Sequence, residues 1–336
     1  MKEATIMQTA QQFSTEVLKL DAARTAAQIE AGIRDIVFHR LKRKGAVVGI
    51  SGGIDSSVVA ALCVRALGKD RVAGLFMPEA DSSGDSLRLG EMLAASLGIR
   101  TVTENITGIL QGARCYERRD EAIRSVVPEY GPGWKSKIVL PNMLDASYAI
   151  FSVVVQSPDG AISRVRLTPD AYLSIVAATN CKQRARKMLE YHYADQYVYA
   201  VAGTPNRLEY DQGFFVKGGD GLADFKPIAH LYKSQVYQMA AYLNVPEEIQ
   251  RRPPTTDTYS LAQSQEEFYF ALPYDKMDLC IYAHNAHLPV EAPAAAVGIT
   301  PEQMERVYQM IESKRRATRY LHLGPQLVEE VSEVMK

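Results

Sequence analysis

Apolar residues along the chain switch repeatedly between a period of about 3.6 and short continuous runs, which marks out a series of helices and strands. In the first 45 residues Ile29, Ile33, Ile36 and Val37 recur at helical spacing among charged positions, predicting a helical N-terminal segment that ends before Gly45. Val47, Val48 and Ile50 form a short β-branched run bounded by glycine, the mark of a strand buried on both faces. Val58, Val59, Ala61 and Leu62 return to helical spacing, so Ser51 to Ser57 is a strand-to-helix turn. RVAGLFMP (71–78) predicts a second strand, DSLRLGEMLAASLGI (85–99) a second amphipathic helix and IRTVTENI (99–106) a third strand. This βαβαβ order with short connections predicts an α/β fold, a doubly wound parallel sheet with helices on both faces and its ligands at the carboxyl ends of the strands.

The middle is less regular. Residues 115–137 are charged and interrupted by Pro128, Gly131, Pro132 and Gly133. In 148–167 two β-branched runs flank Ser157-Pro158-Asp159-Gly160, a strong hairpin signal. A long helix is expected from Pro169 to Tyr193, and QYVYAVAG (196–203) as another buried strand. Residues 258–336 read as a helical C-terminal segment of the same single domain, 1–336.

Composition narrows the function classes. A net charge of −1 from 38 basic and 39 acidic residues provides no polyanion-binding excess, so nucleic acid is not implied. The cysteines Cys63, Cys115, Cys181 and Cys280 are scattered singly without a C-x-x-C pair, which fits reduced thiols in a cytoplasmic protein. No apolar stretch approaches the roughly 18 residues of a membrane span, and the charged N-terminus does not read as a signal peptide. The six histidines form no metal-spaced pair with a carboxylate.

The chemistry starts in the turn. Gly52 and Gly53 let the backbone bring its N–H groups close to a ligand, and the following helix N-terminus favours negative charge, so the turn suits phosphate. A Walker A loop is excluded because no lysine stands in it. SGGIDSS instead resembles the SGGxDS motif of the PP-loop (N-type) ATP pyrophosphatases, which cut ATP between its α and β phosphates.

Residues 203–257 then resemble the signature region of the NAD synthetases within that superfamily: Gly203-Thr204, Asn206, Glu209, Gly213-Phe214-Phe215, Lys217, Gly219-Asp220, Asp224, Pro227, Leu231, Lys233, Gln235-Val236 and Pro254-Thr255-Thr256-Asp257. Asn180, Arg184 and Arg186 are similar to the family's N-x-x-x-R-x-R helix, and Met77-Pro78, Ser82-Ser83 and Ser86 to its MP…SS…S element. Gln263-Ser264, Glu266-Glu267, Tyr274…Asp278 and Lys314-Arg315-Arg316 resemble its later elements.

The resemblance implies the adenine nucleotide alpha hydrolase-like fold and the ammonia-dependent conversion of nicotinic acid adenine dinucleotide to NAD through an acyl-adenylate, with release of AMP and pyrophosphate. It implies ATP as co-substrate, Mg²⁺ as metal and a homodimer, with small molecules, not nucleic acid or membrane, as partners. Carried over by position, Gly49, Ser51, Gly52, Gly53, Asp55, Ser56, Ser57, Met77, Thr204, Lys233 and Thr255 would bind ATP, with Asp55 and Lys233 catalytic. Asp55 and Glu209 would hold the metal. Asn180, Arg184, Phe215, Lys217, Asp220 and Asp224 would line the dinucleotide site.

Three departures are visible. Thr256-Asp257-Thr258 stands where the family has A-D-L, residues 113–171 exceed the usual connector and add the hairpin, and there is no room before residue 30 for the amidase region of the glutamine-dependent type. A related amide ligase that adenylates a different carboxylate is the alternative. A binding-only descendant would have no physical need for a complete metal and phosphate set.

Overall fold

The computed structural model describes residues 13–140, 151–254, 258–261, 263, 269–270 and 272–334. After a 3₁₀ turn at Thr15–Leu18, helix α1 (Ala22–Arg34) is capped by Asp21, whose Oδ1 accepts from Arg24 N at 3.0 Å, and runs on as a π turn over Asp35–Arg40. Of the predicted stripe, Ile29, Ile33 and Val37 are buried and Ile36 is half-buried at its edge.

Strand β1 (Ala46–Gly49) then leads into α2 (Ile54–Leu67), followed by β2 (Val72–Phe76), α3 (Gly84–Leu97) and β3 (Arg100–Thr103). Strand β7 (Ala200–Ala202) enters on the far side, giving a parallel sheet ordered β3-β2-β1-β7, with Ala46 opposite both Val72 and Ala200. Side chains alternate across it. Ala46 and Val48 face a layer containing Ile33, Val58 and Leu62, whereas Val47, Leu75 and Val201 face Ile106, Leu110 and Ala185. Helices thus cover both faces, which is why β1, β2 and β7 read as unbroken apolar runs while edge strand β3 has Arg100, Thr101 and Thr103 exposed.

Between β3 and β7 lie α4 (Thr107–Gly112), α5 (Cys115–Arg124), strands β4 (Lys135–Val139), β5 (Ser152–Gln156) and β6 (Ile162–Arg166), and the 29-residue helix α6 (Pro169–Tyr197). The predicted hairpin is present as β5–β6, closed by Gly160 N donating to Ser157 O at 2.9 Å, and β4 extends it to a three-stranded antiparallel sheet. Its inner face packs Ile138, Val153 and Val155 on Ile123 of α5 and Ile175 of α6. Of the charged stretch 115–137, expected to be irregular, Cys115–Arg124 is helical. It is a helix because Cys115, Arg119, Ala122 and Ile123 fall on one buried side.

The rest of the chain forms α7 (Arg207–Gln212), α8 (Lys233–Tyr242), α9 (Glu247–Arg251), α10 (Tyr274–Asn285), α11 (Glu291–Val297) and α12 (Pro301–His322). Met277, Ile281, Met304, Val307 and Ile311 build a second core there. Ile33→Ala, which empties a site 1% exposed, is expected to cost roughly 2–5 kcal/mol in urea unfolding. Ile36→Ala should cost less than half as much, and equal costs would contradict the observed edge of the stripe.

Candidate active site

The carboxyl ends of β1, β2 and β7 open into one cleft with two chambers that share Ser51, Ser86, Gln183, Thr204 and Asp220. The first, about 900 Å³ with its mouth, has an apolar floor of Leu75, Phe76, Met77 and Ala202, and Arg186, Lys187 and Glu190 of α6 on its wall. That is a size and chemistry suited to a small molecule. The second is lined by Gly53, Asp55, Ser56, Glu209 and Lys233, with Arg252 and Pro254 at its lip.

The turn joining them is held by its own side chains. Ser51 N donates to Ser56 Oγ at 3.3 Å, Gly53 N to Ser51 Oγ at 3.3 Å, and Ser57 Oγ to Gly53 O at 2.8 Å. Gly52 is required twice over. Its φ is +72°, and a Cβ there would lie 2.4 Å from Ser86 O, where α3 crosses the loop. The first N–H groups of α2 have no acceptor within the helix, and its first residues, Ile54, Asp55 and Ser56, line the second chamber.

Around this turn four distant segments converge on one buried charge. The Lys233 ammonium, 1% exposed at the first position of α8, is ion-paired with Asp55 Oδ2. The other Asp55 oxygen accepts from Asn206 Nδ2 at 2.9 Å. Asn206 is the N-cap of α7: its Oδ1 accepts from Glu209 N at 3.1 Å and Glu209 Oε2 accepts from Asn206 N at 3.1 Å. The N-x-x-E spacing is therefore a capping box, which sets Glu209 beside Asp55. On the other side, Asp278 of α10 accepts from Ser234 N at 2.7 Å and Ser234 Oγ at 2.8 Å, fixing the start of α8. Gln235 Oε1 accepts from Tyr232 N at 3.1 Å, and Val236 is fully buried, so every marked residue of L-x-K-x-Q-V locates the lysine.

The electrostatics of this group leave room for a cation. Burial, reinforced by the Asp55 charge and offset by Lys233, pushes the Glu209 carboxyl up to about 8. Burial opposes the charge on Lys233, but Asp55 and Glu209 outweigh it and hold the ammonium above its ordinary range. Burial likewise raises Asp278 to about 6. Two carboxylates facing one lysine thus retain a proton unless a positive ion replaces it, a donor set that fits a hard divalent cation completed by phosphate oxygens and water. Among the described residues no group of three or more His, Cys, Asp or Glu side chains could hold a metal unaided.

The predicted residues divide by location. Gly49, Ser51, Gly53, Asp55, Ser56, Met77, Thr204, Glu209, Lys233 and Asp220 line the cleft, and Ser57 supports the turn from beneath. Arg184 is on the exposed side of α6 one turn from Asn180, its Nε donating to Lys217 O at 3.2 Å. Lys217 Nζ donates to the C-terminal carbonyls of α12, Tyr320 O at 2.7 Å and Leu323 O at 3.1 Å. Asp224 accepts from Val201 N at 2.7 Å and Tyr191 OH at 3.2 Å, bracing β7. Phe215 stacks with Tyr210, centroids 6.1 Å apart. Thr255 lies outside the described residues, as do Thr256, Asp257, Ser264, Glu266 and Glu267.

Several cleft residues carry no individual sequence signal. Arg252 reaches Ser86 Oγ at 3.0 Å across the lip, and Lys187 and Glu190 pair on the wall, where Glu190 Oε1 would be only 2.8 Å from a Cβ on Gly49. A lysine and a glutamate three residues apart on a helix read as a solvated pair.

The family model for NAD synthase matches residues 25–126 and 150–319 of the chain, leaving 127–149, the β4 region, unmatched. The chain is 57% identical over 323 residues to the NH(3)-dependent NAD(+) synthetase of Rhizobium meliloti, covering 96% of each protein. It is 58% identical to that of Mesorhizobium japonicum, over 94% of this chain and all of that one. In fold it is similar to the NH3-dependent NAD synthetase of Campylobacter jejuni, with a TM-score of 0.60 at 22% identity over 92% of this chain and 100% of the other.

The raised Glu209 makes a pH test possible. Folding favours its protonated form, so its contribution to stability is intact below the unfolded value of 4.5 and is lost as pH rises through about 8. Glu209→Gln keeps the capping acceptor and removes the charge. Without ligand it is expected to be more stable than the parent at pH 8–9, by on the order of 1–2 kcal/mol in urea unfolding, and the gap should close toward pH 5.

Proposed function

The chain belongs to the NAD synthase family, and on that premise we propose how its residues divide the family's reaction among them. The reaction is the ATP-dependent amidation of nicotinic acid adenine dinucleotide by ammonia to give NAD, through an acyl-adenylate, with AMP and pyrophosphate released. The observation that carries this function is 57% identity over 96% of both chains, and the Asp55–Lys233–Glu209 group is the physical basis for it. Relatives of that name match this chain over nearly its full length, so a ligase for another acid is not favoured.

A carboxylate is a poor acyl donor because its leaving group would be oxide, and transfer to AMP supplies a better one. That first step brings an anion to a polyanion and builds charge on the departing pyrophosphate, so it demands fixed positive charge. Lys233, kept protonated by its neighbours, faces those oxygens together with the N–H groups at the start of α2. Asp55 and Glu209 would hold Mg²⁺, which when bound supplies charge neutralisation on the phosphates.

The apolar chamber beside Met77 takes the adenosine, and Thr204, at the junction of the chambers, supports the nucleotide between them. Asn180, Arg184, Phe215, Lys217, Asp220 and Asp224 hold the acid dinucleotide. Asp220 lines both chambers, and its carboxyl, raised by burial, accepts from Val216 N at 2.8 Å.

The protein works as a homodimer in the cytoplasm. The first follows what the family resemblance implies. Support for the second is four unpaired cysteines, three of them buried. No helix among the described residues is long and apolar enough to cross a membrane.

The decisive assay supplies ATP, Mg²⁺, ammonium and nicotinic acid adenine dinucleotide and follows NAD and AMP together. Equal formation of both is expected, and AMP release driven only by some other carboxylate would sink the reading. Asp55→Asn is expected to lower kcat/KM by roughly 10²–10³-fold or more while the variant still folds, with an unfolding midpoint below the parent's because the buried Lys233 ammonium loses its paired charge.

A further inference from the structure

Among the described residues Lys182 is one of two fully buried lysines, and the reaction described above does not use it. It lies on α6 between Asn180 and Arg184. Its ammonium donates to three acceptors: Glu79 Oε1 at 2.9 Å, Asp81 Oδ2 at 2.6 Å and the Thr258 carbonyl at 2.8 Å. The same carboxylates take further donors. Glu79 Oε2 accepts from Tyr116 OH at 2.6 Å and Asp81 N at 3.0 Å, and Asp81 Oδ2 accepts from Arg119 Nη1 at 2.5 Å. Two cations face two anions in an interior where Lys182 and Glu79 are wholly inaccessible, and Arg119 Nε also donates to the partly exposed Asp120 Oδ1 at 2.9 Å.

The cluster joins two segments with no regular structure of their own, and helix α5, to helix α6. Residues 77–83 follow β2 and supply Met77, Pro78, Ser82 and Ser83 to the apolar chamber. Thr258 lies four residues beyond Pro254, at the lip of the phosphate chamber. Tyr116 and Arg119 belong to α5, which packs on the three-stranded sheet. A well-packed apolar group in the same space would stabilise the fold at least as well, because desolvating two ion pairs offsets most of their attraction. What ions add is geometry, since each bond fixes a direction as well as a distance.

We propose that Lys182 is a positioning residue for the nucleotide: from α6 it fixes the wall of the adenosine chamber through Glu79 and Asp81, and the chain beyond the phosphate lip through Thr258. The proposal rests on the cleft being the ATP site. It assigns to the junction of the antiparallel sheet with the cleft a role in ATP affinity, separate from recognition of the acid.

The test uses the full-length protein, Lys182→Met and the double variant Lys182→Met/Glu79→Gln, in which the stranded carboxylate is neutralised. Binding of α,β-methylene-ATP with Mg²⁺ is measured by calorimetry, and KM and kcat by NAD formation. For Lys182→Met, the Kd of the analogue and the KM for ATP are expected to rise at least tenfold, while the KM for nicotinic acid adenine dinucleotide stays within threefold of the parent's. The double variant should recover a measurable part of the lost affinity.

A folded Lys182→Met whose ATP parameters stay within threefold of the parent overturns the proposal. If the single variant does not fold, the double is judged by the same criterion, and failure of both to fold overturns the proposal by making the lysine a purely structural group. A parent that binds the analogue but forms no NAD refutes the assigned function and leaves the Kd comparison in force. A parent that binds no analogue refutes both.

Discussion

The geometry of this protein turns on an ammonium group taken out of water. Lys233 is 1% exposed, and a charge so placed must meet its counter-charge inside or lose its proton. Its counter-ion Asp55 comes from the start of α2, the residue that orients Asp55 from the cap of α7, and the residue that fixes α8 from α10. Bringing residues 55, 206, 233 and 278 together requires the sheet, its crossover helix and the C-terminal helices to adopt their mutual positions at once. The pair need not stabilise the fold, since a buried ion pair is often no better than an apolar one. Its value is that it sets one lysine against two carboxylates at the mouth of the phosphate-shaped turn, with the second driven toward its neutral form.

The parallel sheet makes this affordable by separating support from chemistry. β1, β2 and β7 are buried along their length and contribute almost no functional side chain. The cleft is lined instead by the turns and caps that follow them, at Ser51–Ser56, Met77–Ser83 and Thr204–Glu209, together with Lys233 at the start of α8. There backbone N–H groups are unpaired by construction and ligands meet the carboxyl edge of the sheet. Helix α6 closes the arrangement from one side, carrying cleft residues Gln183, Arg186, Lys187 and Glu190 next to Lys182, which faces the interior.

Much of this was legible because local physics and motif coincide. N-x-x-E is a capping box whatever else it does, and L-x-K-x-Q-V places apolar and capping residues around a lysine, so spacing in the sequence survives as spacing in space. The charged stretch at 115–124 was misjudged for the opposite reason. Periodicity analysis treats Arg119 as a solvent-facing residue, yet its guanidinium is buried against Asp81, a residue 38 positions away. Lys182 and the Lys187–Glu190 pair carry no signal on the same ground, since both are buried against their partners. A charge buried by a distant partner leaves no mark in its own neighbourhood of the sequence.

The sequence by itself determined the alternating α/β order, the phosphate-shaped turn and the capping pairs that line the cleft at the sheet's carboxyl edge. Each is encoded within a few residues, through β-branched runs, glycines that tolerate a left-handed or crowded backbone, and capping pairs. Only the tertiary structure decided that Glu209 would hold a proton, that Lys217 and Asp224 would be engaged with carbonyls and backbone of other elements, and that the antiparallel sheet would be tied to the cleft through Lys182. Those outcomes depend on desolvation and on partners supplied by segments far apart in the chain, and both exist only once the chain has folded.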